Sequence, residues 1–367
     1  MRIAILTLPL HTNYGGILQA YALQTVLEGM GHEVMIIDRN RRPGVDISFI
    51  VRLKRLILKY IFNRGIENVQ AIDRYKIETK RNKYIWQFVD KYIKRKEVFC
   101  LQQIAHNEFD AIVVGSDQVW RKDFFLNSYP NVGDAFLAFA KGWVIKRIAY
   151  APSLGNEKWN YTPEETAEIK ELLSTFDLIT LREKDGVELF RKKLHITPEQ
   201  VLDPTLLLTK HDYELLCGNE NTIVDEGGLF CYVLDYSKKK KKLIELVSLK
   251  TNLKPFVAIP EHMKIMIPVQ EWIACFSRAK FVVTDSFHGC VFSVIFGKPF
   301  IVYENENRGN SRFDTLLDIL GLKDRLVNDL DGFDMDQVNS DMSAAQKKVS
   351  NLKIKSMDLL RKSLGKI

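Results

Sequence analysis

Nowhere in the 367-residue chain do about 18 uncharged apolar residues run in succession, so no segment reads as a membrane-spanning helix. The opening Met1-Arg2-Ile3-Ala4-Ile5-Leu6-Thr7-Leu8 is too short an apolar run for the core of a signal peptide and passes directly into patterned sequence. It reads as a first strand, and a cytoplasmic location is expected. Cysteine is scarce: Cys100, Cys217, Cys231, Cys275 and Cys290 are odd in number, far apart, and lack CxxC or Cys/His ligand spacing. That pattern argues against a disulfide framework or a zinc module and fits reduced, mostly buried thiols. No P-loop, GxGxxG, HExxH or GxSxG is present, and no pair of carboxylates stands at an informative spacing. The nucleotide, dinucleotide, metalloprotease and serine-hydrolase signatures are therefore all missing, and neither a metal nor a cofactor is expected.

What remains is an ordinary globular composition, 46% hydrophobic and 27% charged. The length exceeds the roughly 250–300 residues at which one core stops growing, so two domains are expected. The formal charge of +7 is uneven, because residues 39–96 carry 17 Lys+Arg against 5 Asp+Glu. Within that stretch Leu53, Leu56, Ile57, Tyr60 and Ile61 recur at helical spacing. Two readings stay open: a solvated helical insertion over about 45–100 with a core-facing stripe, or a basic amphipathic surface resting on anionic lipid head groups at the inner face of the cell membrane. Nucleic acid is not an expected partner, since no recognised binding motif accompanies the charge.

Elsewhere, apolar runs of strand length alternate with helical patterns, the signature of βαβ units and parallel sheets. The runs Ile3–Leu8, Glu33–Asp38, Phe109–Val114, Arg147–Ala151 and Phe176–Thr180 belong to the first half, and Leu229–Leu234, Pro255–Ile259, Phe281–Asp285 and Pro299–Tyr303 to the second. The fold class that follows is α/β, two Rossmann-like doubly wound domains facing a cleft. The expected limits are residues 1–208, residues 209–343, and a closing helix over 344–367. Such folds bind ligands on loops leaving the C-terminal strand ends.

Those loops hold the candidate residues. Thr284-Asp285-Ser286-Phe287-His288-Gly289-Cys290 places a histidine at the start of a helix just beyond a buried strand. Free N–H groups there attract a phosphate or carboxylate, and His288 is a proton or hydrogen-bond donor beside it. The plainer reading is a histidine that packs at a turn, with Asp285 and Ser286 as caps. Arg182, after another strand, suits bidentate anion recognition, or else pairs with Glu183 or Asp185. In the first strand-to-helix loop, Gly15 and Gly16 allow a backbone to approach a ligand, Asn13 suits a cap and Tyr14 a sugar-stacking ring; a tight turn without chemistry is the alternative. Ser116, Asp117 and Gln118 with Trp120 offer polar groups and an aromatic plane, or a turn with a core filler. Arg308 and Arg312 follow the last long strand.

Taken in order, Asn13–Leu23, Gly115–Trp120, Arg182-Glu183, Asp203-Pro204-Thr205, Thr284–Gly289 and Ser311-Arg312-Phe313 resemble the polysaccharide pyruvyl transferases. The resemblance implies a GT-B-like fold and transfer of a pyruvyl group from phosphoenolpyruvate to a hydroxyl pair of a saccharide, free or lipid-linked, in capsule, exopolysaccharide or cell-wall assembly. It implies that the first domain holds the acceptor (Asn13, Tyr14, Gly15, Gly16, Ser116, Asp117, Gln118, Trp120) and the second the donor (Ser286, Gly289, Arg308, Arg312). It also implies that His288 is catalytic and that Arg182 contacts the donor. One departure is visible: relatives carrying Arg-x-His have arginine where this chain has Ser286, so Arg308 or Arg312 is expected to supply the charge. Two rival readings remain, a glycosyltransferase using a nucleotide sugar in the same cleft and a non-catalytic binding subunit of envelope biosynthesis.

Overall fold

The computed structural model describes residues 1–10, 13–39, 78–155, 157–217, 228–304, 311–329, 335, 338 and 341–365. The stripe from Leu53 to Ile61 and Arg308 lie outside the described residues. At the far end of the basic stretch stand a helix, Lys83–Tyr92, and then a strand, Arg95–Val98, so the helical reading of 45–100 stops short of its last residues. Arg95 there is paired with Asp90 and Glu97 at 2.7 and 3.1 Å.

Apolar runs buried on both faces build two parallel sheets, as expected where helices cover each side. The first contains β1 (Arg2–Leu6), β2 (Glu33–Arg39), β3 (Arg95–Val98), β4 (Ala111–Val114), β5 (Lys146–Ala149), β6 (Leu178–Leu181) and β7 (Glu199–Gln200), in the order β3-β2-β1-β4-β5-β6-β7. The second contains β8 (Gly228–Tyr232), β9 (Lys254–Ala258), β10 (Phe281–Thr284), β11 (Phe300–Tyr303) and β12 (Leu326–Val327), in the order β12-β11-β10-β8-β9. Every recorded strand pair is parallel. Each sheet is doubly wound, reversing direction once: between β1 and β4 in the first, between β8 and β10 in the second. The chain is an α/β protein of two such halves, a GT-B-like architecture.

The halves share one apolar core. Tyr14, from the first helix (Tyr14–Gly29), stacks on Trp272 at 4.9 Å between centroids and meets the edge of Tyr232 at 6.1 Å. Its hydroxyl donates to the Ile267 carbonyl at 2.7 Å. The last helix, Ser343–Leu364, ties them again: Ser356 Oγ accepts from Leu202 N at 3.2 Å, and Gln346 donates to the Val294 carbonyl at 3.3 Å. No described helix is long and apolar enough to cross a membrane.

Candidate functional site

Doubly wound sheets open a crevice where the strand order reverses, and here two such crevices face one another. A cavity of about 200 Å³ lies between them. Leu8, Pro9, Asn13, Gly15 and Gly16 reach it from the end of β1, and Asp117, Gln118, Arg121 and Phe124 from the end of β4. Tyr232 and Leu234 come from β8, and Asp285 to His288 from β10, with Arg312 and Phe313 closing the wall. Two helices begin at this point. Asn13 caps the first by accepting from Gly16 N at 2.6 Å, and Ser286 caps Phe287–Ile295 by accepting from Gly289 N at 3.4 Å. Neither has an acidic residue in its first turn, so the positive ends of both dipoles are directed at the cavity, which Asp117 and Asp285 also line.

His288 sits in the first turn of the second helix and crosses to the other half. A Cβ on Gly15 would fall 2.0 Å from its Nδ1, so only glycine at 15 admits the ring. Its Nε2 lies 3.8 Å from Asp203 Oδ2 and has no hydrogen-bond partner among the described residues. Burial pushes the imidazole below its ordinary value; Asp203 and Asp117 oppose this, while Arg182 and Arg312 add to it. Burial thus favours the neutral form of the ring.

Beneath the cavity is a charged knot. Arg182 donates to Asp203 Oδ2 at 2.6 Å and to Glu183 Oε1 at 3.0 Å, lies 3.7 Å from Asp117, and stacks 4.7 Å from the Phe287 ring centre. Burial works against its charge, yet the three carboxylates outweigh it and raise its pKa. Asp203 is fixed in turn by Thr205, whose N and Oγ1 donate at 3.0 and 2.6 Å. Burial pushes that carboxyl upward, but His288, Arg182 and Thr205 together hold it below the usual range.

The wall of the cavity has a different balance. Burial, and then the neighbouring Arg182, push the Arg312 pKa down to about 10. Arg121 is lowered by burial as well; its Nη1 donates to Gln118 at 3.0 Å and its guanidinium lies 4.0 Å from the centre of the Phe124 ring. Gly155, with φ of +71°, makes room for this pair, since a Cβ there would fall 2.3 Å from Gln118 Oε1.

Of the residues singled out in the sequence, Asn13, Gly15, Gly16, Asp117, Gln118, Ser286, His288 and Arg312 converge on the cavity. Five do not line it. Tyr14 is an interdomain packing residue with its hydroxyl spent on Ile267. Trp120 is fully buried, stacked between Phe136 and Phe190 with its Nε1 donating to the Ala135 carbonyl, and is the core filler of the two readings. Ser116 is likewise buried, donating to the Ala151 carbonyl at 2.9 Å. Gly289 has its Cα against Thr284, where a Cβ would fall 2.2 Å from Oγ1, so it seats helix on strand. Arg182 is enclosed by carboxylates below the floor instead of lining it. Arg121, Phe124 and the role of Asp203 were not anticipated. Arg121 follows directly on the Gly115–Trp120 segment and was the readable one of the three.

The family model for polysaccharide pyruvyl transferase matches residues 13–307. No curated protein matches the chain. Among solved structures, Anabaena Alr3699/HepE in complex with UDP is 10% identical, with 99% of each chain covered and a TM-score of 0.48. The UDP-GlcNAc 2-epimerase from Methanocaldococcus jannaschii is 14% identical, covering 95% of this chain and 92% of that one at a TM-score of 0.46. The S. aureus MnaA-UDP co-structure is 10% identical, covering 96% and 87% at 0.48. The family match begins at the cap of the first helix and runs through His288, and the chain belongs to the polysaccharide pyruvyl transferase family.

Proposed function

We propose that the protein transfers the pyruvyl group of phosphoenolpyruvate to a pair of hydroxyls on a saccharide, releasing phosphate and leaving a cyclic ketal, in the assembly of a surface polysaccharide. The observation that carries this reading is the convergence of His288, Arg121, Arg312 and two helix N-termini on one cavity of about 200 Å³. That volume, below the roughly 300–1,000 Å³ of sites for larger ligands, accommodates a small carboxylated phosphate, whereas a nucleotide sugar would have to extend into the adjoining cavity of about 310 Å³. The cations stand in for the arginine that Ser286 replaces: Ser286 itself is a cap, and Arg121 and Arg312 supply the charge from either side.

The chemistry requires a proton on the methylene carbon of the enol phosphate and stabilisation of positive character at its central carbon while a sugar oxygen adds. In the proposed sequence His288 enters as the neutral base, because burial depresses it. A bound trianion beside the ring raises its pKa, so binding draws a proton from solvent onto His288, which then gives it to the methylene. The first hydroxyl adds to the central carbon and returns a proton to His288. The second hydroxyl displaces phosphate, which leaves carrying that hydroxyl's proton under Arg121 and Arg312. Asp203 holds the imidazole edge and stabilises its protonated form, and Arg182 holds Asp203. The aromatic ring of Phe287, between Arg182 and Arg312, closes the pocket against water.

Thermal-shift titration of phosphoenolpyruvate against uridine- and guanosine-diphosphate sugars tests the donor, since a ligand stabilises by the logarithm of its saturation. The expected result is stabilisation by phosphoenolpyruvate that His288→Gln weakens. Stabilisation by a nucleotide sugar alone replaces the pyruvyl reading with a glycosyltransferase one.

A further inference from the structure

A second cavity, of about 310 Å³, opens beside the first and shares Asn13, Tyr232 and Leu234 with it. Its other walls are Arg81, Asp235, Pro260, Glu261 and Met266. Both halves of the molecule build it. The Arg81 guanidinium, just ahead of the helix Lys83–Tyr92, donates to the Pro260 carbonyl, and the Arg81 carbonyl accepts from Met266 N at 2.8 Å. The shared wall is held from behind. Asp285 accepts from Leu234 N at 2.6 Å and Asp235 N at 3.0 Å, and Lys240, alone among Lys238–Lys242 in being buried, donates to the same carboxylate at 2.6 Å.

The two cavities differ in chemistry. The first gathers two guanidinium groups, an imidazole and two helix N-termini, and the two carboxylates that also line it are each faced by a cation, Asp117 by Arg182 at 3.7 Å and Asp285 by Lys240 at 2.6 Å. The second has two carboxylates, one guanidinium, an amide from Asn13 and the apolar surfaces of Leu234, Pro260 and Met266. An anion entering it meets Asp235 and Glu261. A neutral polyol finds oxygen acceptors for its hydroxyls, a donor in Arg81 and apolar surface for the C–H face of a ring. Of the residues expected to bind the acceptor, Tyr14, Ser116 and Trp120 are spent in the core, and Asn13 stands in both cavities, at the point where a sugar seated in the second would reach the first.

Resting on the pyruvyl-transfer reading, we propose that this second cavity is the acceptor subsite and seats an uncharged pyranoside. Its hydroxyl pair is directed past Asn13 into the first cavity, and Glu261 and Arg81 hold the rest of the ring. The site discriminates against uronosides, whose carboxylate faces Asp235 and Glu261. Recognition of the sugar is therefore divided from recognition of the donor by charge, with Asn13 at the seam.

Saturation-transfer NMR on the full chain tests this without the donor. The probes are methyl pyranosides of glucose, galactose, mannose and N-acetylmannosamine, with methyl glucuronoside as the charged counterpart. The expected result is transfer to at least one neutral glycoside, weaker transfer to the glucuronoside, and loss of roughly tenfold or more in affinity in both Glu261→Gln and Arg81→Met. Glu261 is exposed on a short turn, so its substitution leaves the fold intact. In the coupled assay of phosphate release, Glu261→Gln should raise the KM for the sugar about tenfold or more and leave that for phosphoenolpyruvate unchanged. No transfer to any neutral glycoside in the wild type, or undiminished transfer in both variants, overturns the acceptor subsite. If glycoside binding is lost in the variants while phosphoenolpyruvate fails to bind the wild type, the subsite stands and the donor assignment falls.

Discussion

Two groups of buried charge lie within one cation's reach of each other, and their balances are opposite. Below the cavity, Arg182 is matched by Glu183, Asp203 and Asp117, and its charge is favoured despite full burial. In the wall, Arg312 is disfavoured, its pKa pushed down to about 10 by burial and by Arg182. The first arrangement is complete without a ligand and serves the fold. In the second, burial outweighs the carboxylates Asp117 and Glu183 that favour the charge, and such perturbed groups gather at binding sites.

The sharpest way to break that comparison is at His288, on whose charge both groups act. His288→Ala should lower pyruvyl transfer by roughly 10²–10⁴-fold with the fold intact, measured as phosphate release at saturating phosphoenolpyruvate. Near-normal turnover removes His288 from the chemistry. Next in size, Arg182→Met strands buried carboxylates without a counter-charge and should cost about 3–5 kcal/mol in denaturant unfolding. A loss well under 1 kcal/mol means the knot is not the structural element described here. Gly15→Ala acts on the same contact from the other half. The new Cβ displaces the imidazole from a position where it would lie at 2.0 Å, and a shift of about 1 Å in a reacting group costs on the order of 10²-fold in rate. Rate loss without loss of melting temperature is the expected signature.

How much of this was legible follows a physical line. The strand ends were readable because apolar runs such as Ala111–Val114 and Phe281–Thr284 break into glycine and small polar residues, and the caps Asn13 and Ser286 were readable because their side chains act on backbone one turn away. Which side chain of a loop faces the cavity was not. Gln118 lines it and Trp120, two residues on, is the centre of an aromatic stack; both were plausible sugar contacts from composition alone. Tyr14 and Asn13 are adjacent, yet Asn13 is the extended cap and Tyr14 the first helical residue, which sends Tyr14 onto Trp272 and leaves Asn13 at the cavity. Arg182 reads as an open anion receptor until Asp203, 21 positions away, and Asp117, 65 away, are brought against it. Such partners are set by tertiary packing, and no local pattern announces them.

Arg312→Met sharpens the contrast with Arg182→Met because the two should differ in how much stability they cost. Removing a cation whose charge burial disfavours should cost clearly less stability than the loss of Arg182 does. The same change should weaken phosphoenolpyruvate binding by about 10–100-fold, the value of a hydrogen bond to a charged group. Paired denaturant melts and titrations read both. Destabilisation as large as that of Arg182→Met together with unchanged binding makes Arg312 a second structural arginine and erases the distinction.

The smallest effect is on pH dependence, and it separates the two groups by sign and range. His288 is held below its ordinary value of about 6.5, mainly by burial. As pH falls past that value the unfolded chain takes up a proton that the folded imidazole resists, so the stability His288 allows at neutral pH is lost progressively in acid. Asp203 is also depressed, and its contribution likewise disappears as pH falls, but only through the carboxylate range several units lower. Stability should therefore decline in two steps, and His288→Gln should shrink the upper one, leaving the part due to the depressed His32, and move the lower one upward by removing one of the groups that hold Asp203 down. Phosphoenolpyruvate reverses the upper step, because an anion beside the ring raises its pKa and binding then draws in a proton. Calorimetry in buffers of different ionisation enthalpy at about pH 7 should show net proton uptake in the wild type and less in His288→Gln. Equal uptake in both places the proton elsewhere and removes the imidazole's role in donor capture.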